Sequence, residues 1–193
     1  RTEHMFFDPA KLPSFRAMIV AEDTEARKAA LAKILPLQKN DFDGIIKAMQ
    51  GKTVTIRLLD PPLNEFVPKP EATAEIAALA KELGMDAEKL TLKIHSLQEA
   101  NPMLGHRGCR LAITYPEIYE MQVEAIARAT AEAEKAGIKH DVQIMIPNVV
   151  TYREVAQIKK QALAVIEKVN AEEGTKLSFT IGTMVEFPRA ALT

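Results

Sequence analysis

The chain has 193 residues, of which 47% are hydrophobic and 26% charged, and its formal net charge at pH 7 is −1. This composition is typical of a globular protein with a sizeable core, and it has no basic block of the kind that binds nucleic acid. The apolar runs are too short to span a membrane, so neither a membrane nor a nucleic acid is expected as a partner. The single cysteine, Cys109, excludes an intrachain disulfide and favours the reducing cytoplasm.

Residues 1–52 are predicted to form a mainly helical lead-in. The segment Glu22–Thr24 leads into an Ala- and Lys-rich helix, which Pro36 is expected to end because proline lacks the amide hydrogen that continues a helix. A separate short helix is predicted over residues 41–50, and Gly51 is well placed to end it.

Residues 53–193 alternate between strand and helix patterns. Strands are predicted over residues 53–60, 142–147 and 178–185, and the segment 103–111 is interpreted as a strand end with a loop. The last strand, 178–185, is mostly apolar or β-branched, as expected of a strand covered on both faces. The order from residue 53 is β, αα, β, α, β, α, β, which is typical of a parallel sheet with right-handed crossovers.

The helices between these strands carry clear end signals. A pair is predicted over residues 71–83 and 86–100, the second capped by Asp86. A longer helix begins at Pro116 and closes at Gly137, and the last begins at the capping box that starts with Thr151.

The fold class predicted from this alternation is α/β, in the form of part of a (β/α)8 TIM barrel with extra helices. The chain has no Gly-x-Gly-x-x-Gly, so a dinucleotide-binding fold has little support. A full barrel has eight strands in about 250 residues, whereas only about four or five strands are predicted here. Because the sequence also begins at Arg1 and stops at Thr193, just after a new helix starts, it is expected to be a piece of a longer polypeptide.

The carboxyl ends of parallel strands share one edge of a sheet, where ligands commonly bind. That edge would gather Arg57, Asp60, Arg107, Arg110, Asn148 and Glu186, with Arg1 joining them if the first segment ends a strand. Planar guanidinium groups bind phosphate or carboxylate oxygens in pairs, and Glu186 would hold Mg²⁺ between the protein and such an anion. The alternative is that these arginines and acids only pair with one another.

Four segments of the sequence resemble the phosphoenolpyruvate/pyruvate-binding domain of the pyruvate, phosphate dikinase family. They are RTEHMFF at 1–7, TIRLLDPPLNEF at 55–66, NPMLGHRGCRL at 101–111 and GTMVEFPRA at 182–190. Phosphoenolpyruvate synthase and enzyme I of the sugar phosphotransferase system share the domain but typically carry tryptophan in place of His106. The amino-acid sequence of these segments therefore favours the dikinase family.

The resemblance implies a C-terminal (β/α)8 barrel, of which residues 1–193 would be the central part, from the end of the second strand to the sixth. This family converts ATP, phosphate and pyruvate to AMP, diphosphate and phosphoenolpyruvate. The phosphoryl group passes between pyruvate and a phosphohistidine on a separate domain of the parent chain, so this domain and the ATP-binding domain are implied partners.

The resemblance also assigns roles to individual residues. Arg1 and Arg57 would bind the phosphoryl group, and Arg107 would hold the substrate. Met184 would form an apolar wall, and Glu186 would be a Mg²⁺ ligand that faces the substrate oxygens.

The second magnesium ligand, the cysteine that protonates the enolate and the phosphohistidine match no position of this sequence, and Cys109 is not that cysteine. The 193 residues alone are therefore expected not to turn over, and to bury their cut barrel edges as a homodimer or by other self-association. Two alternatives stay open. One is another Mg²⁺-dependent phosphoenolpyruvate or pyruvate barrel enzyme, either synthase-like or a lyase. The other is a non-catalytic module.

Overall fold

The computed structural model describes residues 2–193, and its helices and strands alternate from β1 onward. The helices are α1 (Leu12–Val20), α2 (Thr24–Met49), α3 (Thr73–Leu83), α4 (Ala87–Ser96), α5 (Gly108–Thr114), α6 (Pro116–Lys135), α7 (Tyr152–Glu173) and α8 (Pro188–Leu192). The strands are β1 (Thr53–Arg57), β2 (Asp141–Ile146) and β3 (Thr180–Thr183). Short 3₁₀ helices cover Thr2–Phe7, Leu63–Glu65 and Pro102–Leu104.

The three strands form one parallel sheet in the order β1-β2-β3. Ile56 pairs with Ile144, and Ile144 pairs with Ile181, so the strands are aligned with their carboxyl ends at the same edge. Ile56 and Ile144 are buried in the main core, whereas Thr55, one position away, is exposed. Since successive strand residues point to opposite faces, the helices cover one face of the sheet and leave the other partly open.

Helix α6 lies at the centre of the helical layer and packs against both α2 and α7. It is buried on most sides, and its alanines, among them Ala125 and Ala129, are fully buried. Small side chains let neighbouring helices approach closely, so this helix forms the axis on which the rest of the layer packs. No helix among residues 2–193 has the length and apolar character needed to cross a membrane.

Several predicted ends are confirmed because local capping chemistry determines them. Asp86 accepts hydrogen bonds from the backbone amides of Glu88 and Lys89 at the start of α4. Thr151 and Glu154 form the predicted capping box of α7. α4 ends at Ser96, however, earlier than the predicted residue 100.

The prediction that Pro36 ends a helix is wrong, because α2 runs without interruption past it and includes the predicted separate helix over 41–50. Ile34 and Phe42, on either side of the proline, are fully buried. Burying apolar side chains against α1 and α6 therefore outweighs the one hydrogen bond that a proline removes.

The strand end predicted at 103–111 is also wrong. This segment is a 3₁₀ turn followed by α5, so the described residues contain three strands rather than four. The prediction that 178–185 is covered on both faces fails as well. β3 alternates between exposed and half-buried residues, and Val185 is 65% exposed, because the helices cover only one face of the described sheet. The observed fold is therefore α/β, mostly helical, with a small parallel sheet.

Candidate functional site

A pocket of about 410 Å³ opens at the carboxyl edge of the sheet. Its lining residues are Glu3, His4, Phe7, Arg57, Asp60, Pro62, Glu65, Phe66, Met103, Arg107, Met184 and Glu186. They come from the first 3₁₀ helix, the ends of β1 and β3 and the segment before α5, so the pocket joins parts of the chain that are distant in sequence.

Arg57, the last residue of β1, forms one wall of the pocket. Its Nη2 donates to Glu3 Oε1, and its Nη1 lies 3.9 Å from the Met184 sulfur. The two charged side chains are only 13% and 8% exposed. Among the described residues, Arg57 Nε and Glu3 Oε2 are buried without a hydrogen-bond partner, so this ion pair leaves hydrogen-bonding capacity unused.

Arg107 forms a second wall and is held by Asp60. Its Nε and Nη2 donate to the two carboxylate oxygens at 2.6 and 2.9 Å, and Nη2 also donates to the Asp60 carbonyl at 3.1 Å. This fork geometry is the strong, oriented form of an arginine–carboxylate pair. The hydrogen bonds that Arg107 donates to the Asp60 carboxylate raise the pKa of Arg107, so its charge is permanent.

Glu186 follows β3 and is positioned by Asn148, which follows β2. The Asn148 backbone amide donates to Glu186 Oε1 at 2.7 Å, and the Asn148 side chain donates to Asp60 Oδ1. No hydrogen bond to Glu186 Oε2 occurs among residues 2–193, so this oxygen remains available to a ligand or cation at the pocket. Carboxylate oxygens are preferred ligands of Mg²⁺.

The segment after β1 leaves the sheet because α6 holds it. Leu59 donates its backbone N–H to Gln122 Oε1 at 2.7 Å and accepts from the Tyr119 hydroxyl at 2.7 Å. Gln122 in turn donates to Thr2 Oγ1, which donates to the Arg57 carbonyl. Complete burial raises the pKa of Tyr119 well above its usual value, so the hydroxyl stays a donor. These contacts explain why β1 ends at Arg57 rather than at the predicted residue 60.

Four carboxylates and two guanidinium groups line the pocket, so an anionic ligand would meet an excess of negative charge. A divalent cation at Glu186 would offset that excess, and Mg²⁺ commonly binds through one or two protein carboxylates, water and ligand oxygens. Among the described residues, no group of three or more His, Cys, Asp or Glu side chains is arranged to hold a metal. Glu186, with Oε2 unbonded at the pocket, offers one carboxylate oxygen, which fits a Mg²⁺ ion that has few protein ligands.

Arg57, Arg107, Met184 and Glu186, which sequence analysis singled out, line this one pocket. Arg1 lies outside the described residues. Arg107 reaches the pocket from the extended N-cap of α5 and not from a strand end.

Arg110, a further candidate from the sequence, and Cys109, which was not expected to be catalytic, both make structural contacts. Arg110 lies outside the pocket lining and donates to the carbonyls of Gly105 and Met103 at 2.8 Å each. Cys109 is fully buried, and its thiol donates to the Asn148 carbonyl at 2.9 Å. Burial raises the pKa of Cys109 to about 12, which removes its nucleophilic form at neutral pH.

Sequence reasoning missed Glu3, Gln122 and Tyr119. Glu3 could have been found because it lies two positions after Arg1, in a segment that was expected to reach the site. Gln122 and Tyr119 are polar residues on a helix predicted to be packed, and buried polar groups need partners. The sequence therefore predicts that Gln122 and Tyr119 form hydrogen bonds, but not that their partners are Leu59 and Thr2.

Comparison with known proteins identifies the family. Residues 1–193 match the family described as PEP-utilising enzyme, PEP-binding domain. The chain belongs to this family. It is 48% identical over 193 residues to pyruvate, phosphate dikinase from Rickettsia conorii and 49% identical over 193 residues to that from Rhizobium meliloti. It is 47% identical over 192 residues to pyruvate, phosphate dikinase 1, chloroplastic, from Arabidopsis thaliana.

Each of these comparisons covers the whole of this chain but only 20 to 22% of the relative. The chain thus spans about a fifth of the length of the curated relatives it matches. The resemblance found in four short segments extends over the full 193 residues.

Proposed function

We propose that the pocket binds phosphoenolpyruvate or pyruvate together with Mg²⁺. In a polypeptide of the relatives' length it would be the substrate site of a pyruvate, phosphate dikinase, which converts ATP, phosphate and pyruvate to AMP, diphosphate and phosphoenolpyruvate. The observation that carries this proposal is the convergence of Arg57, Arg107 and Glu186 on one pocket at the carboxyl edge of a parallel sheet. Membership in a family described as PEP-binding supports phosphoenolpyruvate as the anion that the pocket binds.

Each described pocket residue has a distinct role in this proposal. Arg57, which lines the pocket, donates to the phosphoryl oxygens. Arg107, oriented by Asp60, donates to the substrate as well, and Arg1 would add a third guanidinium. Met184 lies against Arg57 and offers an apolar wall to the methylene end of the substrate. Such preorganised charges stabilise the charge that develops in phosphoryl transfer.

Glu186 would hold the Mg²⁺ ion through its free carboxylate oxygen. The ion would neutralise charge on the substrate oxygens, which four pocket carboxylates otherwise repel. The other oxygen, Oε1, accepts a hydrogen bond from the Asn148 backbone amide at 2.7 Å, so it holds the side chain in place and does not bind the ion.

The larger architecture is part of the proposal. Residues 1–193 would form the central part of a (β/α)8 barrel, about strands 2 to 6, whose remaining strands would cover the half-exposed β3. The partner that delivers the phosphoryl group would be a phosphohistidine domain of the same polypeptide, and a separate domain of that polypeptide would bind ATP. A homodimer and a cytoplasmic location stay predictions.

A second candidate is a non-catalytic module, and one observation favours it. Arg57 pairs with Glu3, and Arg107 pairs with Asp60, so both pocket arginines already have carboxylate partners. In that case the charges stabilise the fold and bind no ligand.

Calorimetric titration with phosphoenolpyruvate separates the two candidates. Substrate binding predicts that phosphoenolpyruvate and oxalate, a planar mimic of enolpyruvate, bind in the presence of Mg²⁺, with an affinity at least about tenfold weaker without it. Sulfate, as a control, should bind more weakly than phosphoenolpyruvate at the same ionic strength. If neither organic anion binds with or without Mg²⁺, the charges serve the fold only.

A further inference from the structure

Asn148 connects three separate segments at the pocket without lining it. It lies two residues after the end of β2, is fully buried and has a positive φ of 59°. Its backbone amide contacts Glu186, and its side-chain amide contacts Asp60. Its carbonyl accepts from the Cys109 thiol at 2.9 Å in α5.

The orientation of the Asn148 side chain is determined by its partner. An ionised Asp60 carboxylate can only accept, so the Asn148 nitrogen must face it. Asp60 is 2% exposed and uses both carboxylate oxygens to hold Arg107. Asn148 therefore contacts Glu186 through its backbone and supports the Arg107 guanidinium through Asp60.

The backbone around Asn148 fits this role. Asparagine tolerates a positive φ better than other non-glycine residues do. The facing residue, Gly108, has a φ of +58°, and a Cβ there would come within 2.7 Å of Asn148 Cβ. The close approach of these two residues brings the start of α5, next to Arg107, against the end of β2.

We propose that Asn148 is a positioning residue that fixes the Arg107 guanidinium relative to the Glu186 carboxylate. One residue holds Glu186 by its backbone and Asp60 by its side chain. It thereby sets the gap in which an anion bound by Arg107 meets a cation bound by Glu186. This inference rests on the proposed function and adds to it a residue that touches neither substrate nor metal.

The variant Asn148→Gly separates the two contacts. Glycine adopts the positive φ without steric cost and keeps the backbone amide for Glu186, but it removes the donor to Asp60. We expect it to weaken Mg²⁺-dependent binding of phosphoenolpyruvate about tenfold, since a charge-assisted hydrogen bond that orients Arg107 is lost. Urea denaturation of the variant checks that it is folded under the conditions of the titration.

Asn170→Ala is the matched control. Asn170 is also a hydrogen-bonded asparagine, since it donates to the Leu177 carbonyl and accepts from the Leu177 amide, but it lies before β3 rather than at the pocket. Its replacement should lower the free energy of unfolding and change the affinity for phosphoenolpyruvate less than about twofold.

A double-mutant cycle with Asp60→Asn distinguishes positioning from packing. If Asn148 acts through Asp60, Asn148→Gly costs about tenfold in affinity with Asp60 present and less than about twofold in the Asp60→Asn background. Equal losses in both backgrounds, or no loss in either, would overturn the inference and leave the proposed function standing. If the unmodified chain binds no phosphoenolpyruvate with Mg²⁺, the proposed function fails and this inference fails with it.

Discussion

Replacing Arg107 with lysine tests whether the guanidinium is there for a ligand or only for the fold. Lysine keeps the positive charge but loses the planar fork. Arg107 makes three hydrogen bonds to Asp60, at 2.6, 2.9 and 3.1 Å, and lysine can be expected to restore one of them. The prediction therefore concerns geometry at constant net charge.

The expected magnitude follows from those contacts. Hydrogen bonds to charged groups contribute about 1.5–3 kcal/mol each. Because lysine restores one of the three bonds, two are lost, and we expect Arg107→Lys to lower the free energy of unfolding by about 3–6 kcal/mol. The loss of paired donors to the ligand should weaken Mg²⁺-dependent phosphoenolpyruvate binding by about 10- to 100-fold.

Arg110→Lys is the matched control, since it makes the same change three positions further along the chain. Arg110 donates to two loop carbonyls at 2.8 Å and lies outside the pocket. It should lose about 1–2 kcal/mol of stability in urea denaturation and bind the ligand with unchanged affinity in calorimetry. If Arg107→Lys binds phosphoenolpyruvate as tightly as the unmodified chain, the guanidinium does not contact the ligand and the reasoning is refuted.

Three further predictions concern a glycine, a buried ion pair and the cysteine. Gly108→Ala should cost about 2–4 kcal/mol in urea denaturation, from strain and a clash with the neighbouring asparagine. Gly84→Ala, which has a positive φ but nothing within 4 Å, should cost only about 1–2 kcal/mol. Arg27→Ala breaks the buried ion pair with Glu117 (2.8 Å) and should lower the free energy of unfolding by about 3–5 kcal/mol. Lys28→Ala, which breaks the exposed pair with Glu25, should lower it by less than about 1 kcal/mol. Equal losses in the two variants would contradict the effect of burial. The Cys109 thiol, with its pKa raised by burial to about 12, should resist thiol reagents at pH 8 until the chain unfolds. Because only the unfolded thiol ionises between its ordinary pKa and about 12, the free energy of unfolding should fall as pH rises through that range. In the Cys109→Ala variant it should fall less steeply with pH.

Local signals in the sequence were sufficient for much of the fold. The caps at Asp86 and Thr151 depend on hydrogen bonds within a few residues, so the sequence predicts them directly. The alternation of strands and helices predicted the parallel sheet, since crossover connections follow from chain order alone.

Features that depend on distant contacts were predicted less well. Pro36 has a strong local preference to end a helix, but packing of α2 on α1 and α6 overrides it. β3 has the apolar composition of a covered strand, yet it lies at an edge of the described sheet, because composition does not say which strands are neighbours. Arg107 lines the pocket as predicted, but it lies at the N-cap of α5 and not at the end of a strand.

The candidate site shows the same division. The edge of the sheet could be predicted from the order of elements, and with it the neighbourhood of Arg57 and Glu186. The pairing of Arg57 with Glu3 and the central place of Asn148 could not, because both depend on side-chain geometry between segments far apart in sequence.

The most direct test of the proposed site is a crystal structure of the chain with phosphoenolpyruvate and Mn²⁺, which shares the preference of Mg²⁺ for oxygen ligands and is visible by anomalous scattering. The account predicts an anomalous peak at about 2.1–2.2 Å from the free carboxylate oxygen of Glu186, given the short metal–oxygen distances of such sites. It also predicts ligand oxygens within hydrogen-bond distance of Arg57 and Arg107. A metal or ligand bound elsewhere, with both arginines still paired only to Glu3 and Asp60, would contradict it.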